Sequence, residues 1–271
     1  MAQRIPASGD PTESYPVESY VAIGDSFTEG VGDELPDGAV RGWADFVALG
    51  FAEASDSPVR YANLAIRGRK LRPLIDEQLA PAIALAPQVI SINGGGNDIM
   101  RPRVSIAAVT DLLEDAAGRA IDAGIRVLLL SGANPSDHLP FGSLLQRRGD
   151  QLAAAVRGRL PRDGITFVDN WADDTLRASR YWSADKLHLN DLGHIRVAGN
   201  ALRSLGVPVP AEWGIDEVAA AETGAHSRNT AAYYRRYVLP WIGRRLTGRS
   251  SGDGRVAKLP TLEPVPRPPH G

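Results

Sequence analysis

Five residues, far apart in the chain, carry functional groups that together suit acyl transfer. Ser26 lies in "IGDSFTEG", residues 23–30, where an apolar run breaks into small and polar residues. Asp185 and His188 lie in "WSADKLHLN", and Gly68 and Asn97 in "NLAIRGRK" and "GGGNDIM". A serine hydroxyl is a weak nucleophile alone, but a neutral imidazole within hydrogen-bond reach can take its proton as it attacks a carbonyl. The imidazole in turn needs a carboxylate on its other nitrogen, to fix its tautomer and favour its charged form. Asp185 precedes His188 by three residues, so one turn of chain can supply both. The tetrahedral intermediate then needs donors aimed at its oxyanion. The backbone N–H groups of Ser26 and Gly68 and the side-chain amide of Asn97 are the candidates. Glycine at position 68 lets backbone approach a substrate with no side chain between.

Each of these residues also has a plain structural reading. Ser26 could simply cap a helix at a strand-to-helix turn. Asn97 could be a turn residue behind Gly94, Gly95 and Gly96, and Gly68 a loop glycine. "GGGND" lacks the Gly-Lys-Ser/Thr ending of a P-loop and the dinucleotide fingerprint. Four other histidines compete with His188: His138 follows a strand and could approach the site, while His194 falls in a helix and reads as a surface or capping residue. His226 and His270 are the other two. Asp25 and Asp98 read as carboxylates bonding their own loops. "DNWADD" at 169–174 gathers three acids and reads as solvated loop rather than a cation site.

The elements that must bring these residues together are legible as alternation. Short runs at 19–24, 59–65, 88–93, 125–131 and 165–168 are rich in Val, Ile and Leu on both faces, as strands buried on both sides should be. Segments of helical spacing lie between them. Leu71, Leu74, Ile75, Leu79 and Ile83 share one stripe, as do Ile106, Val109, Leu113, Ala116 and Ala120. Further helices are expected near 42–54, 143–159 and 191–205. The pattern predicts an α/β chain with a five-stranded doubly wound parallel sheet and helices on both faces. In such sheets functional groups gather beyond the carboxyl ends of the strands, which is where all five residues fall.

With its blocks in place, the sequence resembles the SGNH hydrolases, the GDSL esterase/lipase family. The family's Gly-Asp-Ser-Leu block is Gly24-Asp25-Ser26-Phe27 here; its Asn and the Gly five residues on are Asn63 and Gly68. Its Gly-x-Asn-Asp is Gly95-Gly96-Asn97-Asp98, and its Asp-x-x-His is Asp185-Lys186-Leu187-His188. Phe27 replaces leucine with its apolar bulk kept, and Ala65 stands where many members have another glycine. The resemblance implies a three-layer flavodoxin-like sandwich and ester hydrolysis through an acyl-enzyme. It assigns catalysis to Ser26, Asp185 and His188 and the oxyanion hole to Ser26, Gly68 and Asn97, without metal or organic cofactor. Alternatives on the same residues are an acyltransferase or transesterase, in which an alcohol intercepts the acyl-enzyme, and a non-catalytic binding module.

Composition bounds the rest. The 271 residues carry a net charge of -2 and no cysteine, which excludes disulfides, thiolate catalysis and cysteine zinc sites and gives no global field for nucleic acid. The N-terminus lacks the apolar core of a signal peptide and no later run suits a membrane span, so a cytoplasmic protein is expected. The expected organisation is a flexible leader at 1–17, a hydrolase domain at 18–207, a basic aromatic helical arm at 208–247 and a flexible Pro/Gly-rich tail at 248–271. In the arm, Arg228, Arg235, Arg236, Arg244, Arg245 and Arg249 interleave with Tyr233, Tyr234, Tyr237 and Trp241. A surface packed on the domain is favoured over one docked on a membrane; the arm could also line the acyl pocket or mediate self-association. The partner expected is a small-molecule ester. "VGDELPDGAVRGW", after Ser26, is the expected wall of its pocket, with Trp43 close by; the acyl preference stays open.

Overall fold

A computed structural model describes residues 17–101, 103–140, 142–160, 162–220, 233, 235, 236 and 251–267. The expected leader, save Val17, lies outside these residues, as does most of the expected arm. Five parallel strands form the body of the sheet: β1 (Ser19–Ile23), β2 (Arg60–Asn63), β3 (Val89–Asn93), β4 (Arg126–Leu130) and β5 (Ile165–Val168). The order β5-β4-β3-β1-β2 is the flavodoxin-like one. The chain winds one way from β1 and the other way from β3, so the switch point opens between those two strands.

A sixth strand corrects the sequence reading. β6 (Leu259–Pro264) pairs antiparallel with β2 and closes that edge, within the stretch expected to be a flexible tail. Its composition hid it. "LPTLEP" holds two prolines, which a central strand cannot accommodate but an edge strand can, because an edge strand need pair on one side only. It also buries little, so no core-forming pattern marks it.

The helices in chain order are α1 (Ser26–Glu29), α2 (Trp43–Glu53), α3 (Leu71–Leu74), α4 (Ala80–Ala84), α5 (Gly96–Ile99), α6 (Ile106–Asp122), α7 (Gly142–Arg159), α8 (Asp191–Ser204) and α9 (Ile215–Ala220). Side chains alternate across the sheet and so build two cores. Tyr20, Ala22, Leu128 and Leu130 meet α2 and α8 on one face. Val21, Ile23, Ile90, Ile92, Val127 and Leu129 meet α3, α4, α6 and α7 on the other. The single helix expected over 71–83 is interrupted by a π-helical turn at Ile75–Leu79. The wider turn brings Gln78 into the interior, where it is buried. Among the described residues, no helix is long and apolar enough to cross a membrane.

Candidate active site

The chain leaves β1 at Ile23 and turns at once into α1, so Ser26 sits at the first residue of that helix, beyond a strand buried along its whole length. Asp25 caps the helix, accepting from Phe27 N at 3.1 Å. The turn is held from several sides. Gln78 clamps Gly24 with two bonds, accepting from its N–H at 2.8 Å and donating to its carbonyl at 3.0 Å. Asn63 donates to Thr28 O at 3.0 Å. A Cβ on Gly24 would lie 2.1 Å from Thr28 Oγ1, so this strand end has no room for a side chain.

His188 arrives from the loop before α8. Its Nε2 lies 3.0 Å from Ser26 Oγ, and its Nδ1 lies 2.6 Å from Asp185 Oδ2. The turn between the two residues is tight: Lys186 adopts φ 60°, and Lys186 N donates to Ser183 O at 3.0 Å. The other oxygen of Asp185 accepts from His188 N and Leu187 N, both at 2.9 Å, and from Ser183 Oγ at 2.8 Å. Burial alone would push this carboxyl up. The His188 ring and the two backbone donors outweigh it and hold Asp185 well below the usual carboxylate range. The result is a fixed anion behind the imidazole, which orients its ring.

Gly68 has φ 75°, a left-handed conformation that costs L side chains energy. The loop carrying it is anchored by Glu29, whose carboxylate accepts from Arg67 N at 2.6 Å and from Arg67 Nε at 2.9 Å. Asn97 lies in α5, after β3, and its Nδ2 donates to Asp25 Oδ2 and to Arg69 O, both at 3.0 Å. Both protons of its amide are therefore engaged, and the side chain is held in place by its neighbours. Asp25, which bonds its own loop as expected, has this second task as well. Burial pushes its carboxyl up to about 6. Asp98 reaches beyond its loop and accepts from Leu71 N at 2.8 Å.

All five candidate residues, Ser26, Gly68, Asn97, Asp185 and His188, line one cavity of about 730 Å³. Tyr233 and Arg236 of the arm line it too, and Tyr233 OH donates to Asp185 O at 3.0 Å. The expected wall at 31–43 does not line it. Trp43 is wholly buried at the start of α2, beneath the sheet's other face, and the cavity is bounded instead by β4, α7 and the segments that follow them. His194 also departs from expectation. It lies in α8 but is wholly buried, and its Nδ1 accepts from Trp43 N at 3.2 Å. His138 is buried against Trp182 with Nε2 2.9 Å from Arg177 O, and does not line the cavity. Two of the three acids of "DNWADD" have structural partners: Asp169 pairs with Arg157, and Asp173 pairs with Arg196 at 2.8 Å; Asp174 is exposed. The roles of Gln78 and Glu29 had no sequence signal beyond polar type, because each depends on a contact made only in the fold.

A three-layer α/β sheet that presents a hydroxyl, an imidazole and a carboxylate at its switch point has the architecture of an ester hydrolase. A family profile described as the GDSL-like lipase/acylhydrolase family matches residues 22–196, well over half of the chain. The chain belongs to that family and is a carboxylic ester hydrolase by class. No curated protein sequence matches it. Similar solved structures include a lipase from a goat rumen metagenome, at 20% identity and TM-score 0.59, covering 70% of this chain and 97% of that one. A catalytic mutant of the acetylxylan esterase Axe2 from Geobacillus stearothermophilus matches at 21% identity and TM-score 0.59, covering 70% and 95%. TesA matches at 21% identity and TM-score 0.57, covering 69% and 97%. At these identities the likeness is one of fold.

Proposed function

We propose that the protein hydrolyses carboxylic esters through an acyl-enzyme on Ser26. Ser26 Oγ attacks the ester carbonyl carbon as its proton passes to His188 Nε2. The carbonyl oxygen becomes an oxyanion held by the N–H groups of Ser26 and Gly68 and by the Asn97 amide. Collapse breaks the bond to the alcohol, which leaves with the proton from His188. A water then attacks the acyl-enzyme, giving its proton to His188, and the second collapse returns that proton to Ser26 Oγ as the acid departs. Asp185 stays ionised throughout and orients the ring.

The observation that supports this reading is the unbroken chain of bonds from Asp185 through His188 to Ser26, at 2.6 and 3.0 Å. Both distances are within the range required of a working base and nucleophile. The test is hydrolysis of short p-nitrophenyl esters by Ser26→Ala, with folding followed by circular dichroism. The variant should fold and lose at least about a thousandfold in kcat. A folded variant with full activity would refute the role of Ser26.

A further inference from the structure

The cavity extends far past the reacting groups. From Ser26 it passes Gly94, Leu130 and Ala133 and runs between the sheet and α7, where Leu129, Leu152, Ala153, Val156 and Phe167 line it. Leu129 and Phe167 are register partners on β4 and β5, so they form one row on the same face of the sheet. On α7, Leu145, Gly149, Leu152, Ala153 and Val156 recur at helical spacing and make a single stripe toward that row.

The space has a physical origin in this stripe. Two of its five members, Gly149 and Ala153, are small. The indole of Trp171 lies against Gly149, where a Cβ would come within 1.9 Å of its ring. Further along, Leu152 and Val156 are the α7 side chains that line the volume. Next to Gly149, Arg148 donates to Ile99 O and Val104 O, each at 2.6 Å, and so ties the first half of α7 to the end of α5 and the loop after it. Leu152 and Phe167 are half-buried, whereas Leu129, Ala153 and Val156 at the inner end of the lining are buried. The lining stripe from Leu145 to Val156 is about 16 Å long at the α-helical rise, close to the extended length of a chain of about twelve carbons.

Resting on the reading of Ser26 as nucleophile, we infer that this apolar channel is the acyl site and that the substrates are esters of unbranched aliphatic acids of about eight to twelve carbons. The acyl carbonyl lies at Ser26 and the alkyl chain runs under α7 toward Val156. An acetyl group would leave most of the channel unfilled. Each methylene removed from water into it gains up to about fourfold in binding of the transition state.

Two measurements on the intact protein test this separately from the chemistry. The first is kcat/KM for p-nitrophenyl esters from acetate to dodecanoate, kept below their aggregation limits. The channel predicts a rise of at least about a hundredfold from acetate to decanoate. Val156→Trp should move the optimum to shorter chains, and the milder Ala153→Leu should do so to a smaller degree if the first variant does not fold. The second is calorimetric titration with sodium decanoate, which needs no turnover: saturable binding is expected, lost in Val156→Trp or weakened in Ala153→Leu. Activity that is highest on acetate, or a chain-length profile unmoved by either variant, would overturn the acyl site. So would the lack of saturable decanoate binding. Decanoate binding without hydrolysis of any ester would instead support the channel and overturn the proposed chemistry.

Discussion

At the scale of single residues, the site is a set of groups aimed before substrate arrives. Asn97 shows this most plainly. Its amide is held by Asp25 and by the carbonyl of Arg69, so its orientation is settled by folding, and an oxyanion would have to share one of these two bonds. Asn97→Ala should lower kcat by about 10²–10³ with little change in KM. Asp25→Ala should lower kcat too, and if part of that loss runs through Asn97 the double variant should lose less than the sum of the two single losses. Fully additive losses in that cycle would show that Asp25 acts independently of Asn97. Gln78 is a positioning residue of the same kind. Its two bonds to Gly24 fix the backbone just ahead of Ser26, and truncation would leave two buried backbone groups without partners. Gln78→Ala should cost about 1–3 kcal/mol of stability in denaturant titrations and lower kcat as well.

At the scale of elements, two connections deserve measurement. The first joins α8 to α2. His194 accepts from Trp43 N through Nδ1, so that nitrogen must be unprotonated. Burial, chiefly, pushes the imidazole down to about 3. The native state thus binds fewer protons than the unfolded chain between the ordinary histidine value, about 6.5, and 3. Stability from this group is fully present above about pH 6.5 and falls as pH drops toward 3, by up to about 1.4 kcal/mol per pH unit. Unfolding midpoints measured across that window should decline for the wild type, and less steeply for His194→Gln. An equal slope in both would remove His194 as the cause. The second connection joins β6 to the active-site layer. Lys258, just before the strand, donates to Glu29 O at 2.9 Å and to Asp45 Oδ2 at 2.6 Å. Glu29 in turn holds the loop of Gly68. Lys258→Ala should lower the melting temperature by several degrees, the effect of about 1–3 kcal/mol in a domain of this size.

At the scale of the whole molecule, what the sequence disclosed and what it withheld follow from how each feature is encoded. The five parallel strands are mostly buried on both faces, so each holds a short run of apolar residues that can be read directly. The site residues follow strand ends, in blocks whose order matches a known family, so Ser26, Asp185 and His188 could be named before their distances were known. β6 escaped because an edge strand with Pro260 and Pro264 needs neither alternation nor bulk. The π turn escaped because the apolar positions from Leu71 to Leu79 keep ordinary helical spacing; the shift it causes shows only beyond it, where Ala82 is buried and Ile83 half-buried. His194 was misplaced because residue type suggests exposure, while burial depends on what packs above it. The acyl channel could not be read because an unfilled volume belongs to β4, β5 and α7 jointly and to none of them alone.

The central claim is that Ser26 is the activated nucleophile, made so by His188. It is tested most directly by mass spectrometry of the intact protein after treatment with a fluorophosphonate, followed by peptide mapping. One adduct per chain on Ser26 is predicted, with labelling slowed at least about a hundredfold in His188→Ala. An adduct on another residue, or labelling of Ser26 at the same rate without the imidazole, would contradict the account.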